Sequence, residues 1–114
     1  MKQAILNTDG SGFWSRTATQ VTITDMRIGY VNSERDFGEL CVYFNTQEWD
    51  CNKLGLIYTD RLWLNELREH LDSIGLTGTD VEYSEQGMQG DDYVSLDVGA
   101  DFLTAWDAKF SVKN

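Results

Sequence analysis

Cys41, Cys51 and His70 are the side chains of this chain whose chemistry suits a nucleophile, its base or a soft metal ligand. A thiolate and an imidazole that act together meet in space and not in sequence, so either cysteine is a candidate partner for His70. A closed zinc site takes about four Cys or His ligands. Two cysteines and one histidine fall short of that unless an acid completes the set. Cys41 and Cys51 also lie on either side of one turn, where paired flanking strands would allow a disulfide. "TDGSG" at 8–12 lacks the lysine of a phosphate loop and the three spaced glycines of a dinucleotide fold, and it reads as a turn.

Carboxylates are the abundant chemistry. "DVEYSEQGMQGDDYVSLDVGAD", residues 80–101, holds Asp80, Glu82, Glu85, Asp91, Asp92, Asp97 and Asp101 and not one Lys or Arg. Paired acids hydrolyse glycosidic or phosphodiester bonds when one of them is desolvated in a cleft. A stretch this acidic makes any single pair uninformative. The order of acids also departs from a calcium-binding helix–loop–helix, which alternates its ligands around a sixth-position Gly and ends on Glu. Three uses remain for the stretch: a solvated sheet face that discourages aggregation, a surface for a basic partner, or a divalent-cation site.

The totals narrow these choices. The net charge is −10, from 19 acids and 9 bases in 114 residues. Residues 1–58 carry a net −2 and residues 59–114 a net −8, so the second half is the acidic pole. Direct nucleic-acid binding needs clustered Lys and Arg and is disfavoured. Attraction to a basic protein is favoured. No apolar run approaches the roughly 18 residues of a membrane span, and the start of the chain lacks the apolar segment of a secretory signal. The expectation is a cytoplasmic protein with reduced thiols. With 41% apolar residues, no proline-rich linker and no repeat, residues 1–114 read as a single compact domain.

The elements that must position these groups follow from periodicity. Residues 2–6 suggest a short first strand. From Thr17 to Asn32 the chain is β-rich, but Ile23 shares one parity with Val21 whereas Met26, Ile28 and Tyr30 share the other. Side chains alternate across a strand, so a bulge is expected near Asp25. Leu40, Val42 and Phe44 define a further strand, and Leu54–Tyr58 a short apolar one. In the loop between these two strands Trp49 stands between Glu48 and Asp50, as a lid folded onto the core or an anchor for a partner.

Trp63, Leu64, Leu67, Leu71 and Ile74 form one apolar stripe at 3.6 residues per turn, predicting a helix over 60–74. Thr59 or Asp60 is its expected cap, Gly75 its left-handed stop, and Leu76 the residue that folds back on Leu71. Arg61, Asn65, Arg68, Glu69 and Asp72 take the wet side. Val81 and Tyr83 alternate with Glu82 and Ser84, and Val94, Leu96 and Val98 with Tyr93, Ser95 and Asp97, which predicts a β-hairpin. A second, short helix is expected over 101–108, capped by Asp101 and packed through Phe102, Leu103 and Trp106.

The fold expected from this order is α+β: a mostly antiparallel sheet of about five to six strands with the two helices on one face. On that fold Asp80, Glu82, Ser84, Tyr93, Ser95 and Asp97 face outward together, Glu85, Asp91 and Asp92 lie at the hairpin's loop end, and Asp101 just beyond its other end. The expected function is binding, without a cofactor. In that reading the acids Asp80, Glu82, Glu85, Asp91, Asp92, Asp97 and Asp101, with Tyr93, dock onto a basic surface of a protein partner, as a nucleic-acid mimic, an immunity protein or an anti-restriction protein does. Tyr83, Trp49, Phe13 and Trp14 are candidate aromatic anchors. A small metal-assisted or cysteine-dependent enzyme is the alternative.

Overall fold

A computed structural model describes residues 4–7, 20–45, 61–84 and 92–110. The architecture is α+β. The described residues form one antiparallel sheet of strands β1 (Ala4–Asn7), β2 (Gln20–Val31), β3 (Phe37–Phe44), β4 (Val81–Tyr83) and β5 (Tyr93–Gly99), in the order β1-β2-β3-β5-β4. Helix α1 (Arg61–Ser73) and helix α2 (Ala100–Phe110) complete it. Alternation decides which face they cover. Leu40, Val42, Phe44, Val94, Leu96 and Val98 project from one side of the sheet, and both helices close over them in a single apolar cluster. Cys41, Tyr43, Tyr93, Ser95 and Asp97, of opposite parity, are on the other face.

The bulge expected near Asp25 is present: the register between β2 and β3 shifts between Ile23 and Asp25. It turns Met26 and Ile28 onto the core face beside Val42 and Leu40. A second shift, between Ile28 and Tyr30, was not foreseen. It brings Tyr30 opposite Glu39 on the outer face, where the ring is exposed, and so overturns the parity assigned to Tyr30 from the sequence. Gly29 supplies the extra residue; a Cβ there would stand 3.1 Å from the Cys41 Sγ.

Helix α1 runs as its stripe requires, with Trp63, Leu64, Leu67 and Leu71 buried and Ile74 half-buried. Its end is a Schellman closure. Gly75 has φ +91°, its N–H donates to the Asp72 carbonyl at 3.1 Å, and the Leu76 N–H donates to the Leu71 carbonyl at 2.9 Å. Two residues assigned to the wet side have structural work: Arg68 Nε donates to the Val81 carbonyl at 2.9 Å, and Asp72 Oδ1 accepts the Gly78 N–H at 2.7 Å. Both bonds tie the helix to the chain that enters β4.

Helix α2 is longer than the segment expected and carries an aromatic ladder at i, i+4. Phe102 and Trp106 have ring centroids 5.9 Å apart, and Trp106 and Phe110 4.4 Å. Its cap corrects the sequence reading. Asp80, and not Asp101, accepts the Phe102 N–H, at 2.9 Å through Oδ2. Asp101 is exposed in the first turn, where its charge suits the helix dipole. The Asp80 carboxylate reaches α2 over Gly99, where a Cβ would come within 2.5 Å of its Oδ1. Asp80→Ala is therefore expected to lower stability by about 1–2 kcal/mol, measured by urea unfolding, as loss of a cap does. Asp101→Ala is expected to cost less than half as much, and equal costs would count against this assignment.

The expected strand Leu54–Tyr58, the caps Thr59 and Asp60, the 8–12 turn, the aromatics Phe13, Trp14 and Trp49, and Cys51 with its proposed bridge to Cys41 lie outside the described residues. Glu85 and Asp91 lie outside them as well.

Candidate functional site

The register across β3, β5 and β4 builds the site. Asp97 stands opposite Glu39 on one side and Glu82 on the other, so three carboxylates cross three neighbouring strands in one row on the outer face. Adjacent strands lie about 4.8 Å apart, which sets the pitch of this row. Glu82 is exposed, and Glu39 and Asp97 are half-buried. Among the described residues the ion pairs are Asp25–Arg27, at 2.7 Å, and Arg35–Asp107, and neither involves the row. Glu39 is the member that the sequence did not reveal. Its signal was its even spacing with Cys41 and Tyr43, but only the pairing of β3 with β5 shows that it belongs with Asp97.

The other residues assigned to this face divide. Tyr93 is on it, its ring 5.5 Å from that of Tyr43 across the strands. Asp80 is engaged in capping α2. Asp92 precedes β5 with the parity of Val94, so it belongs to the core side of the sheet; its side chain is exposed and its carbonyl accepts the Phe44 N–H at 2.7 Å. Asp101 is on a helix and not on the sheet. Ser84 and Ser95, expected to be wet, are both buried. Ser95 Oγ lies 3.6 Å from the Cys41 Sγ, beneath its neighbours on the outer face. Tyr83 points inward with Val81, stacked on Trp63 at 6.3 Å and packed against the core, which removes it from the candidate anchors.

Like charges directly opposed on neighbouring strands destabilise a sheet, and Asp97 meets one on each side. Asp97→Asn is expected to raise stability by roughly 0.2–1 kcal/mol in low salt. The gain should shrink at high salt, because screening already weakens the repulsion. Urea midpoints at the two ionic strengths measure it.

On the same face an arginine is already held by an acid and a ring. Arg27 Nε donates to Asp25 Oδ2 at 2.7 Å, and its guanidinium carbon lies 5.0 Å from the Tyr43 ring centroid. The hydrogen bond from Arg27 holds the Asp25 carboxyl below its ordinary value, and Asp25 in turn raises Arg27.

Cys41 and His70 are not brought together. Cys41 is on the outer face and His70 is on α1, across the sheet. Among the described residues no three His, Cys, Asp or Glu side chains are placed to hold a metal ion. Burial holds the His70 imidazole below its ordinary value of 6.5. The folded state thus favours the neutral ring, and the unfolded chain takes up the proton first as pH falls. This part of the stability is present above pH 6.5 and is lost as pH drops from there through the folded value. His70→Gln is expected to flatten the pH dependence of the urea midpoint between about pH 7 and 5, and an unchanged slope would refute it.

No helix among the described residues is long and apolar enough to cross a membrane. No family model matches this chain, and no curated protein or solved structure matches it.

Proposed function

We propose that this protein works by binding, docking the outer face of its sheet onto a basic surface of a protein partner. The observation that carries the reading is the row Glu39–Asp97–Glu82. Three carboxylates in about 10 Å, at the sheet's spacing of roughly 4.8 Å, approach the charge density of one DNA strand, which carries a phosphate per about 3.4 Å of axis. The row opposes folding, so its arrangement is not explained by stability. Tyr93, Tyr43 and the exposed Tyr30 lie on the same face and supply rigid aromatic contacts of the kind that interfaces use.

Such a surface steers a basic partner by long-range attraction and holds it against competition from nucleic acid. An inhibitor of a nucleic-acid-binding protein, whether an immunity or an anti-restriction protein, has these needs, and a cytoplasmic location suits it. Of the acids assigned from the sequence, Glu82 and Asp97 carry the reading, with Glu39 added. Asp92 and Asp101 contribute only to the general field, and Asp80 serves the fold. The test is retention of basic proteins by the immobilised protein as a function of salt. Retention at about 50 mM salt that is lost by about 500 mM, where the Debye length has fallen from about 14 Å to about 4 Å, is the expected result. Retention that does not change with salt would overturn the proposal.

A further inference from the structure

We infer that the outer face presents a socket for one arginine side chain of the partner. This rests on the docking reading above and names the group that the face would grip. Alongside Asp97 and Glu82 of the carboxylate row is an open cavity of about 180 Å³ lined by Phe37, Asp80, Glu82, Asp97, Val98 and Gly99. Its form follows from the register. Phe37 on β3 pairs with Gly99 on β5, and because Gly99 has no side chain the Asp80 carboxylate reaches in over it and joins the lining. The ring makes one wall and is 39% exposed. Glu82 makes the opposite wall, with Asp97 next to it in the row.

An aromatic ring facing two carboxylates is complementary to a cation that is flat, weakly hydrated and rich in donors. A guanidinium meets all three requirements: it stacks by its face and donates a fork of N–H bonds by its edge. This sheet face already shows the arrangement with its own side chains, where Arg27 sits over Tyr43 and donates to Asp25. The cavity repeats the ring and the acids, and among the described residues no cation fills it. The alternatives fit less well. A lysine ammonium is a compact, strongly hydrated point charge and gains less from the ring. A divalent cation needs several converging oxygens; the Phe37 wall offers none, and Asp80 Oδ2 is committed to the Phe102 N–H.

The test is a titration of isotopically labelled full-length protein with two peptides, acetyl-Gly-Arg-Gly-Arg-Gly-amide and its lysine counterpart, followed by backbone amide shifts. The arginine peptide is expected to shift the Phe37, Asp97 and Gly99 amides and to bind about two- to fivefold tighter than the lysine peptide, the size of an exposed cation–π contact. Phe37→Leu should bring the arginine peptide down to the lysine value, and Asp97→Asn should weaken both peptides. Thermal melts of the two variants verify that each is folded. Equal affinity of the two peptides for this face, or a preference that survives Phe37→Leu, overturns the arginine socket and leaves the docking face standing. Shifts confined to other parts of the molecule overturn both.

Discussion

Reversing Glu82 and Asp97 together to lysine is expected to abolish salt-dependent capture of a basic partner while the protein stays folded. The double change leaves Glu39 as the only negative charge in the row and sets two positive ones beside it, the nearer at position 97, directly opposite Glu39. Neither side chain takes part in the apolar core, and neither joins an ion pair among the described residues. Relief of the repulsion within the row should leave the stability within about 1 kcal/mol of the parent's, on the stabilising side. The electrostatic consequence is far larger. Attraction along a charged face accelerates association by about 10- to 1,000-fold, and reversing its centre removes that gain and adds repulsion. A fall of at least about tenfold in association rate at low salt, with a urea midpoint close to that of the parent, is the result to look for. Reversal of Asp101 on α2 and Glu69 on α1, both exposed and on the helix side of the sheet, is the control. If that pair reduced capture as much, net charge and not the row would govern binding.

The helices and the central sheet were legible because their signals are local or strictly periodic. The stripe from Trp63 to Leu71 and the Gly75–Leu76 stop need only the chain itself, and the alternation in Val94–Val98 left no choice of face. The break of parity around Asp25 was equally visible, since Ile23 and Met26 cannot both face the core of an unbroken strand. What stayed hidden was set by contacts distant in sequence. Tyr30 faces outward because a second bulge falls at Gly29, and a glycine by itself gives no reason for a register shift. Asp80 caps α2 across some twenty intervening residues, whereas Asp101 looked like the cap because it stands at the right local position.

The candidate site shows the same division. Glu82 and Asp97 were legible as outward residues of one hairpin, because each alternates with apolar neighbours, and β4 and β5 do pair antiparallel. Glu39 was not, since its place in the row depends on β3 lying between β2 and β5 in the sheet. Ser95 shows the limit of alternation. Parity places it on the outer face, yet it is buried, because depth on a sheet depends on how tall the neighbouring side chains are. Parity fixes a direction and says nothing of cover. The cavity beside Phe37 was illegible for a related reason: Gly99 admits the Asp80 carboxylate, and only the pairing of Phe37 with Gly99 brings that acid to the ring.

Trp63→Ala is expected to cost about 3–5 kcal/mol, a large part of the roughly 5–15 kcal/mol that holds a domain of this kind together. Trp63 is fully buried, and its indole meets Phe44 edge-on at 5.5 Å and stacks on Tyr83 at 6.3 Å. It thereby joins α1 to β3 and to β4 at once. Alanine leaves a cavity on the core face with rigid walls, and the strand with least pairing of its own is the one that should loosen. That strand is β4, three residues long and at the edge of the sheet, with Glu82 between Val81 and Tyr83. The substitution should thus reach the outer face without touching it: at temperatures where Trp63→Ala is still folded, amide exchange in β4 should rise before that in β3, and binding through Glu82 should weaken with it. Leu62→Ala, one position away on the exposed side of α1, is expected to stay within about 0.5 kcal/mol. Equal losses at the two positions, or uniform exchange across the sheet, would mean that Trp63 does not hold β4 against the core. In that case the stiffness of the carboxylate row would have to come from β5 alone.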